Sequence, residues 1–255
     1  MISIQGVSKS FGDNHVLSEL NLEVKQGEFL VLLGASGCGK STLLNLMAGF
    51  EKPTQGLVKV NGRTIEDVTA ACGMVFQQYA LMPWLTVQEN VEFGLKMKQV
   101  PKKERAEVAL RFIQMVGLKG SEHKYPHALS GGMKQRVSIA RVLANDPDVM
   151  LFDEPFAALD AMTRQVLQDQ LMSIYAQSGK TIVFITHSID EAIMLSTRIV
   201  ILGARPGRIV QDVRNPLPLP RNADVQLSSE FLDLKRSIWE SVQHEVSQTL
   251  TATRS

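Results

Sequence analysis

The chain has 255 residues, 44% hydrophobic and 21% charged, which suits one large domain or two small ones with ample core. Lys and Arg number 27 against 26 Asp and Glu, and a net charge of +1 argues against a nucleic-acid binder driven by bulk positive charge. Two cysteines, Cys38 and Cys72, are too few for a disulfide framework and point to a reducing compartment.

The opening MISIQGVSKSFG has no basic stretch followed by an apolar run, so no secretory signal is read there. Short apolar runs without alternation predict buried strands at 29–33, 73–76, 149–152, 181–186 and 199–202. Helix-period segments lie between some of them, at 41–50, 131–144 and 163–178. Strands alternating with helices predict an α/β fold with a mostly parallel sheet. The uncharged stretch 68–88 contains Gln77, Gln78 and Pro83 and is not read as a membrane span. Residues 87–147 read as mostly helical, and 204–220 as irregular, with Pro206, Pro216, Pro218 and Pro220. Phe231, Leu234, Ile238, Val242 and Val246 then recur at helical spacing and predict a helix packed back on the domain.

The residues just past each strand are more informative than the strands. FLVLL runs into Gly34 and a glycine-rich loop, GMVF into Gln77, VMLF into Asp153 and Glu154, and TIVFIT into His187. Ligands of open α/β sheets bind at the carboxyl ends of the strands. Four strands therefore deliver four kinds of polar group to one rim.

Gly34-Ala35-Ser36-Gly37-Cys38-Gly39-Lys40-Ser41 fits G-x-x-x-x-G-K-[ST] between a strand and a helix. Its glycines let backbone N–H groups turn onto phosphate oxygens, and the helix N-terminus adds its dipole. Lys40 would reach the β- and γ-phosphates and the Ser41 hydroxyl would bind Mg²⁺; Cys38 is a small filler of the loop. Asp153 would hold Mg²⁺ and Glu154 would polarise an attacking water; otherwise one caps the next helix and the other is solvated. Ser130 is a good N-cap for a helix opened by Gly131 and Gly132, which is either a simply capped helix or one whose free N–H groups form an anion site. His187 could donate to a γ-phosphate or serve structurally, and Gln77 could touch Mg²⁺ or water or bond within its loop. Phe11 could stack on an adenine ring or sit in the core. Trp84 either packs inside or stands at a partner groove with Tyr79 and Met82.

In this order the pieces resemble the ATP-binding subunit of an ABC transporter, over almost the whole chain. The phosphate loop resembles Walker A, Gln77 the Q-loop glutamine and LSGGM at 129–133 the family signature, with Met133 where glutamine is commonest. Residues 149–153 resemble Walker B, Glu154 the catalytic glutamate, Ala158-Leu159-Asp160 the D-loop and His187 the switch histidine. The resemblance implies a P-loop NTPase fold with an antiparallel β portion at the N-terminus and a helical subdomain. It implies a catalytic core over 1–86 and 146–215, a helical subdomain over 87–145, and a linker with an amphipathic helix over 216–255.

The implied catalytic residues are Glu154, His187 and Gln77, and the implied metal ligands Ser41, Gln77 and Asp153. Phe11, the loop residues Gly34 to Ser41 and Thr42 would bind nucleotide, covered by Ser130, Gly131 and Gly132 of a second copy in a head-to-tail dimer. ATP and Mg²⁺ are the implied cofactors. The implied partners are two transmembrane permease subunits and an extracytoplasmic solute-binding protein, with no nucleic acid. The place implied is the cytoplasmic face of the cell (inner) membrane, peripherally. LMPWLTV at 81–87, DEPFAALD at 153–160 and RPGRI at 205–209 resemble importers of nitrate, sulfonates, taurine and bicarbonate. Taurine or an alkanesulfonate is the first expected solute and nitrate the second. The alternative is an ABC-type ATPase acting outside transport, on nucleic acid, on ribosomes or as a regulatory module. No long heptad run separates Lys40 from Ser130, which weighs against a chromosome-organising relative.

Overall fold

The chain opens with two long strands, β1 (Ile2–Phe11) and β2 (Asn14–Val24), followed by β3 (Phe29–Gly34) and α1 (Lys40–Ala48). Strands β4 (Gln55–Val60), β5 (Arg63–Thr64) and β6 (Cys72–Val75) come next. Helices α2 (Val87–Met97), α3 (Lys102–Met115) and α4 (Gly131–Ala144) precede β7 (Val149–Asp153) and α5 (Ala161–Ser178). The remainder is β8 (Thr181–Ile185), α6 (Ile189–Leu195), β9 (Arg198–Gly203), β10 (Arg208–Arg214) and α7 (Ser229–Ala252). These elements come from a computed structural model that describes residues 1–157, 159–204 and 206–252. Ala158 and Arg205, each part of a motif named above, lie outside the described residues, as does the side chain of Val246.

The chain divides into two compact units, Met1–Cys72 with Gly179–Ser255, and Gly73–Ser178. The first holds an antiparallel sheet in the order β2-β1-β4-β5 and strands β10-β9-β3-β8 of a second sheet. There β3 runs parallel to both β8 and β9, while β10 closes on β9 antiparallel. The expected parallel core and N-terminal antiparallel portion are thus both present. All residues of β3 and β8 are buried, which is why they read as unbroken apolar runs. Phe29 and Phe184, both fully buried, meet with ring centroids 6.0 Å apart at 47°.

In the second unit β6 and β7 are neighbours, and α2, α3 and α4 pack on one another. Thr86 opens α2 with a capping box, its hydroxyl accepting from the Glu89 N–H while the Glu89 carboxylate accepts from the Thr86 N–H. That bond holds the Glu89 carboxyl below the usual carboxylate range. Buried Asn90 ties down the loop before α2, its amide donating to the carbonyls of Met82, Leu85 and Thr86 and accepting from the Met82 N–H.

One expectation fails in the C-terminal part. The stretch read as irregular contains β10, an edge strand of alternating exposure. The prolines that bracket it, Pro206 and Pro216, obscure the alternation of Ile209, Gln211 and Val213 with polar or exposed neighbours. Beyond it α7 turns Phe231 and Ile238 inward, with Leu234 and Val242 half-buried, as its helical spacing requires.

Both ends of the seven-residue helix α6 are held by side chains. Ser188 caps its N-terminus by accepting from the Glu191 N–H. At its C-terminus Asn215 donates to the Ile193 and Ser196 carbonyls at 2.8 and 3.1 Å, and Arg221 donates to those of Ile193, Met194 and Ser196. A helix this short has too few internal bonds to persist alone. Asn215→Ala strips a buried donor from these carbonyls and is expected to lower stability by about 1–3 kcal/mol, as measured by urea unfolding of the full chain.

Candidate functional site

In the first unit, β3 ends at Gly34 and the chain reaches α1 through a loop of three left-handed glycines. Gly34, Gly37 and Gly39 have φ of 154°, 79° and 92°. A Cβ at Gly39 would run into the side chains of Leu17 and Val16, whereas one at Gly37 would meet nothing within 4 Å. Gly39 is also the N-cap of α1, and no side chain among the described residues caps that helix. A helix N-terminus is a place that favours an anion. The buried Lys40 places Nζ within the loop, donating to the Gly34 carbonyl at 2.9 Å and the Ala35 carbonyl at 3.0 Å. Cys38 is buried beside it, and desolvation pushes its thiol pKa up against the opposing pull of Lys40, which makes it a poor nucleophile. Ser41 is exposed and Thr42 half-buried on the first turn of α1.

Strand register brings His187 to this loop's end of the sheet. Leu32 of β3 pairs with Ile185 of β8 in parallel, and two residues beyond that pair lie Gly34 and His187. His187 is exposed, immediately before the cap of α6. Phe11 ends β1 and is 47% exposed, so it is not a core aromatic. Lys9 lies under it, Nζ 4.6 Å from the ring centroid, while also bonding to the Glu51 carboxylate and the Lys52 carbonyl. Sequence reading missed this contact, although residues two apart on a strand share a face.

In the second unit, β7 delivers Asp153 and Glu154, both half-buried. Glu154 has φ of 46°, a left-handed conformation that costs a non-glycine residue about 1–3 kcal/mol. Asp160 caps α5, accepting from the Thr163 N–H at 2.9 Å, and this bond holds its carboxyl below the usual range. Ser130 caps α4 by accepting from the Met133 N–H at 3.3 Å, and Ser130 and Gly131 are exposed. Gln77 is exposed two residues past β6. The turn it begins contains two more left-handed residues, Tyr79 and Ala80, at φ of 59° and 46°. Arg141 donates to the carbonyls of both, and desolvation lowers its pKa. No sequence pattern pointed to Arg141, because its partners are main-chain atoms. Trp84 is 72% exposed and does not pack inside. It borders a groove of about 520 Å³ that is also lined by Phe93, Lys96, Arg105 and His123.

A sequence profile of the ABC transporter family matches residues 17–157. An uncharacterized ABC transporter ATP-binding protein of Methanocaldococcus jannaschii is 50% identical, over 98% of this chain and 94% of its own. The taurine import ATP-binding protein of Roseobacter denitrificans is 45% identical, over 92% of this chain and 88% of its own. Among solved structures, the dimeric post-hydrolysis state of an ATP-binding cassette bound to ADP and Pi aligns with a TM-score of 0.77 and 34% identity. That alignment covers 86% of this chain and all of that one.

The glycine geometry separates two contributions. Gly37→Ala adds only backbone strain, whereas Gly39→Ala adds strain and a clash with Leu17. Both should weaken ATP binding in a calorimetric titration, Gly39→Ala by about tenfold more.

Proposed function

The chain belongs to the ABC transporter family, and we propose that it is the ATP-hydrolysing subunit of an importer for a small anionic or zwitterionic solute. Taurine or another alkanesulfonate is the first candidate and nitrate the second. The observation that carries the ATPase reading is the uncapped N-terminus of α1, with Lys40 buried in the glycine loop that precedes it. The taurine import relative supports the choice of cargo.

Phosphoryl transfer asks a protein mainly for positioning and charge stabilisation. Here the loop N–H groups from Gly34 to Ser41, with Thr42, bind the phosphates, and Lys40 exchanges its two carbonyl partners for β- and γ-oxygens. Phe11 stacks on the adenine. Glu154 orients and polarises the attacking water, and His187 donates to the γ-phosphate. Mg²⁺ suits the donors Ser41, Gln77 and Asp153, all hard oxygen ligands. A single carboxylate among them fits an ion that keeps phosphate oxygens and waters as its other ligands. When bound, it would neutralise charge developing on the phosphates. Ser130, Gly131 and Gly132 of a second copy would cover the nucleotide, in line with the dimeric relative. Met133 leaves the backbone donors at Gly131 and Gly132 in place.

Residues 1–86 and 146–215 serve as catalytic core, 87–145 as helical subdomain and 216–255 as linker and terminal helix. The mutual packing of α2, α3 and α4 supports the middle assignment. No helix among the described residues is long and apolar enough to cross a membrane. Two permease subunits would supply the pathway and an extracytoplasmic binding protein the solute. The groove beside Trp84, with Tyr79 and Met82 nearby in sequence, would receive the permease. The subunit would then sit peripherally on the cytoplasmic face of the membrane.

Glu154→Gln should bind ATP normally while turnover falls about 10²–10⁴-fold, the usual worth of a general base; rapid hydrolysis by this variant would remove Glu154 from that role. The cargo is tested by uptake of labelled taurine and nitrate in cells with and without the gene. Loss of taurine uptake alone supports a sulfonate importer. Loss of nitrate uptake alone changes the cargo, and loss of neither removes both candidates.

A further inference from the structure

We propose that Arg141 is a positioning residue for hydrolysis, holding Gln77 in place by gripping the strained turn that follows it. The inference rests on the reading of Gln77 as a ligand of Mg²⁺ or water. Gln77 and Gln78 are the central residues of a turn closed by the Tyr79 N–H donating to the Phe76 carbonyl at 3.3 Å. A second, tighter turn overlaps it. The Ala80 N–H donates to the Gln78 carbonyl at 2.5 Å, with Tyr79 at the centre and φ of 59°. This is the strained form of γ-turn. Neither Tyr79 nor Ala80 is the glycine such a backbone favours, so something outside the turn must hold it.

Arg141 supplies that hold. One guanidinium nitrogen donates to the Ala80 carbonyl at 2.6 Å and the other to the Tyr79 carbonyl at 3.1 Å. Two separate nitrogens held in one plane reach the two carbonyls, a spacing that the single ammonium nitrogen of a lysine does not reproduce. Among the described residues no carboxylate neutralises Arg141, so a partly desolvated cation is committed to two main-chain oxygens. The same turn touches the other end of α4. The Tyr79 hydroxyl lies 3.0 Å from where a Cβ on Gly131 would sit. Ten residues of helix, about 15 Å, separate Gly131 from Arg141. The segment after Gln77 thus lies along α4 and is gripped at its backbone by one end and met at its phenol by the other. A shift of α4 would be passed to Gln77 through this turn.

The test is a double-mutant cycle on the full chain between Arg141→Lys and Gln77→Ala, read by ATPase kcat and by ATP affinity. Arg141→Lys should lower kcat roughly 10- to 100-fold, as for a misplaced catalytic group, with ATP affinity within about twofold. In the Gln77→Ala background the same substitution should cost less than about twofold, because its route of action is gone. A full, additive loss in that background overturns the proposal, as does an unchanged kcat. If Gln77→Ala alone leaves kcat unchanged, it is the reading of Gln77 that fails. Ala80→Pro guards against poor folding of the arginine variant. It forbids the left-handed turn at an exposed position without altering the Arg141 or Gln77 side chain, and should reproduce the kcat loss by releasing Gln77; normal turnover by it would also overturn the proposal.

Discussion

Strand β3 has no exposed face and no open edge. All its residues are buried, and parallel neighbours take both its sides. Polar chemistry can leave such a strand only at its end. At 34 and 39 the chain exits through glycines because a Cβ there would meet the Leu202 carbonyl or Leu17. The exit in turn starts α1 without a side-chain cap, with the buried Lys40 as its first residue. Register with β8 brings His187 to the same end. The positions of glycine loop, lysine and histidine thus follow from one fully enclosed strand.

The loop before α1 and the segments at 79, 80 and 154 meet the same backbone problem differently. The phosphate loop uses glycine wherever φ is positive. In the second unit, Glu154, Tyr79 and Ala80 take left-handed conformations with side chains attached. At 154 a glycine would remove the carboxylate that the proposed chemistry needs. At 79 and 80 the strain is offset by an arginine that reads the displaced carbonyls.

Much of this was legible in the sequence, for physical reasons. Strands covered on both faces lack alternation, and five runs predicted on that ground fall within a residue of observed strands. The helix at 131–144 was found to the residue, because Ser130 is a strong cap and the glycines mark its start. Other features carried no local signal. A seven-residue helix such as α6 is too short to display a period, and β10 hid its alternation between prolines. Phe11 and Trp84 left open readings that only exposure could decide. Arg141 was invisible because its partners are carbonyls as far as 62 residues upstream. Side-chain patterns report which face is buried, but not which main-chain atoms a distant cation will find.

The enclosure of β3 also bears on how the chain is made. Val31 pairs with Phe184 and with Ile199, so both neighbours of this strand lie beyond the whole second unit in sequence. At ordinary elongation rates, roughly 10–30 s pass between synthesis of β3 and arrival of the strands that cover it. During that interval FLVLL is a bare, uncharged β-forming edge on a nascent chain, the kind of segment that recruits other strands. Non-local pairing of this sort also slows folding once the chain is complete. The segment that leads into the glycine loop is among the first to be made and among the last to be secured, so its edges stay uncovered through much of synthesis.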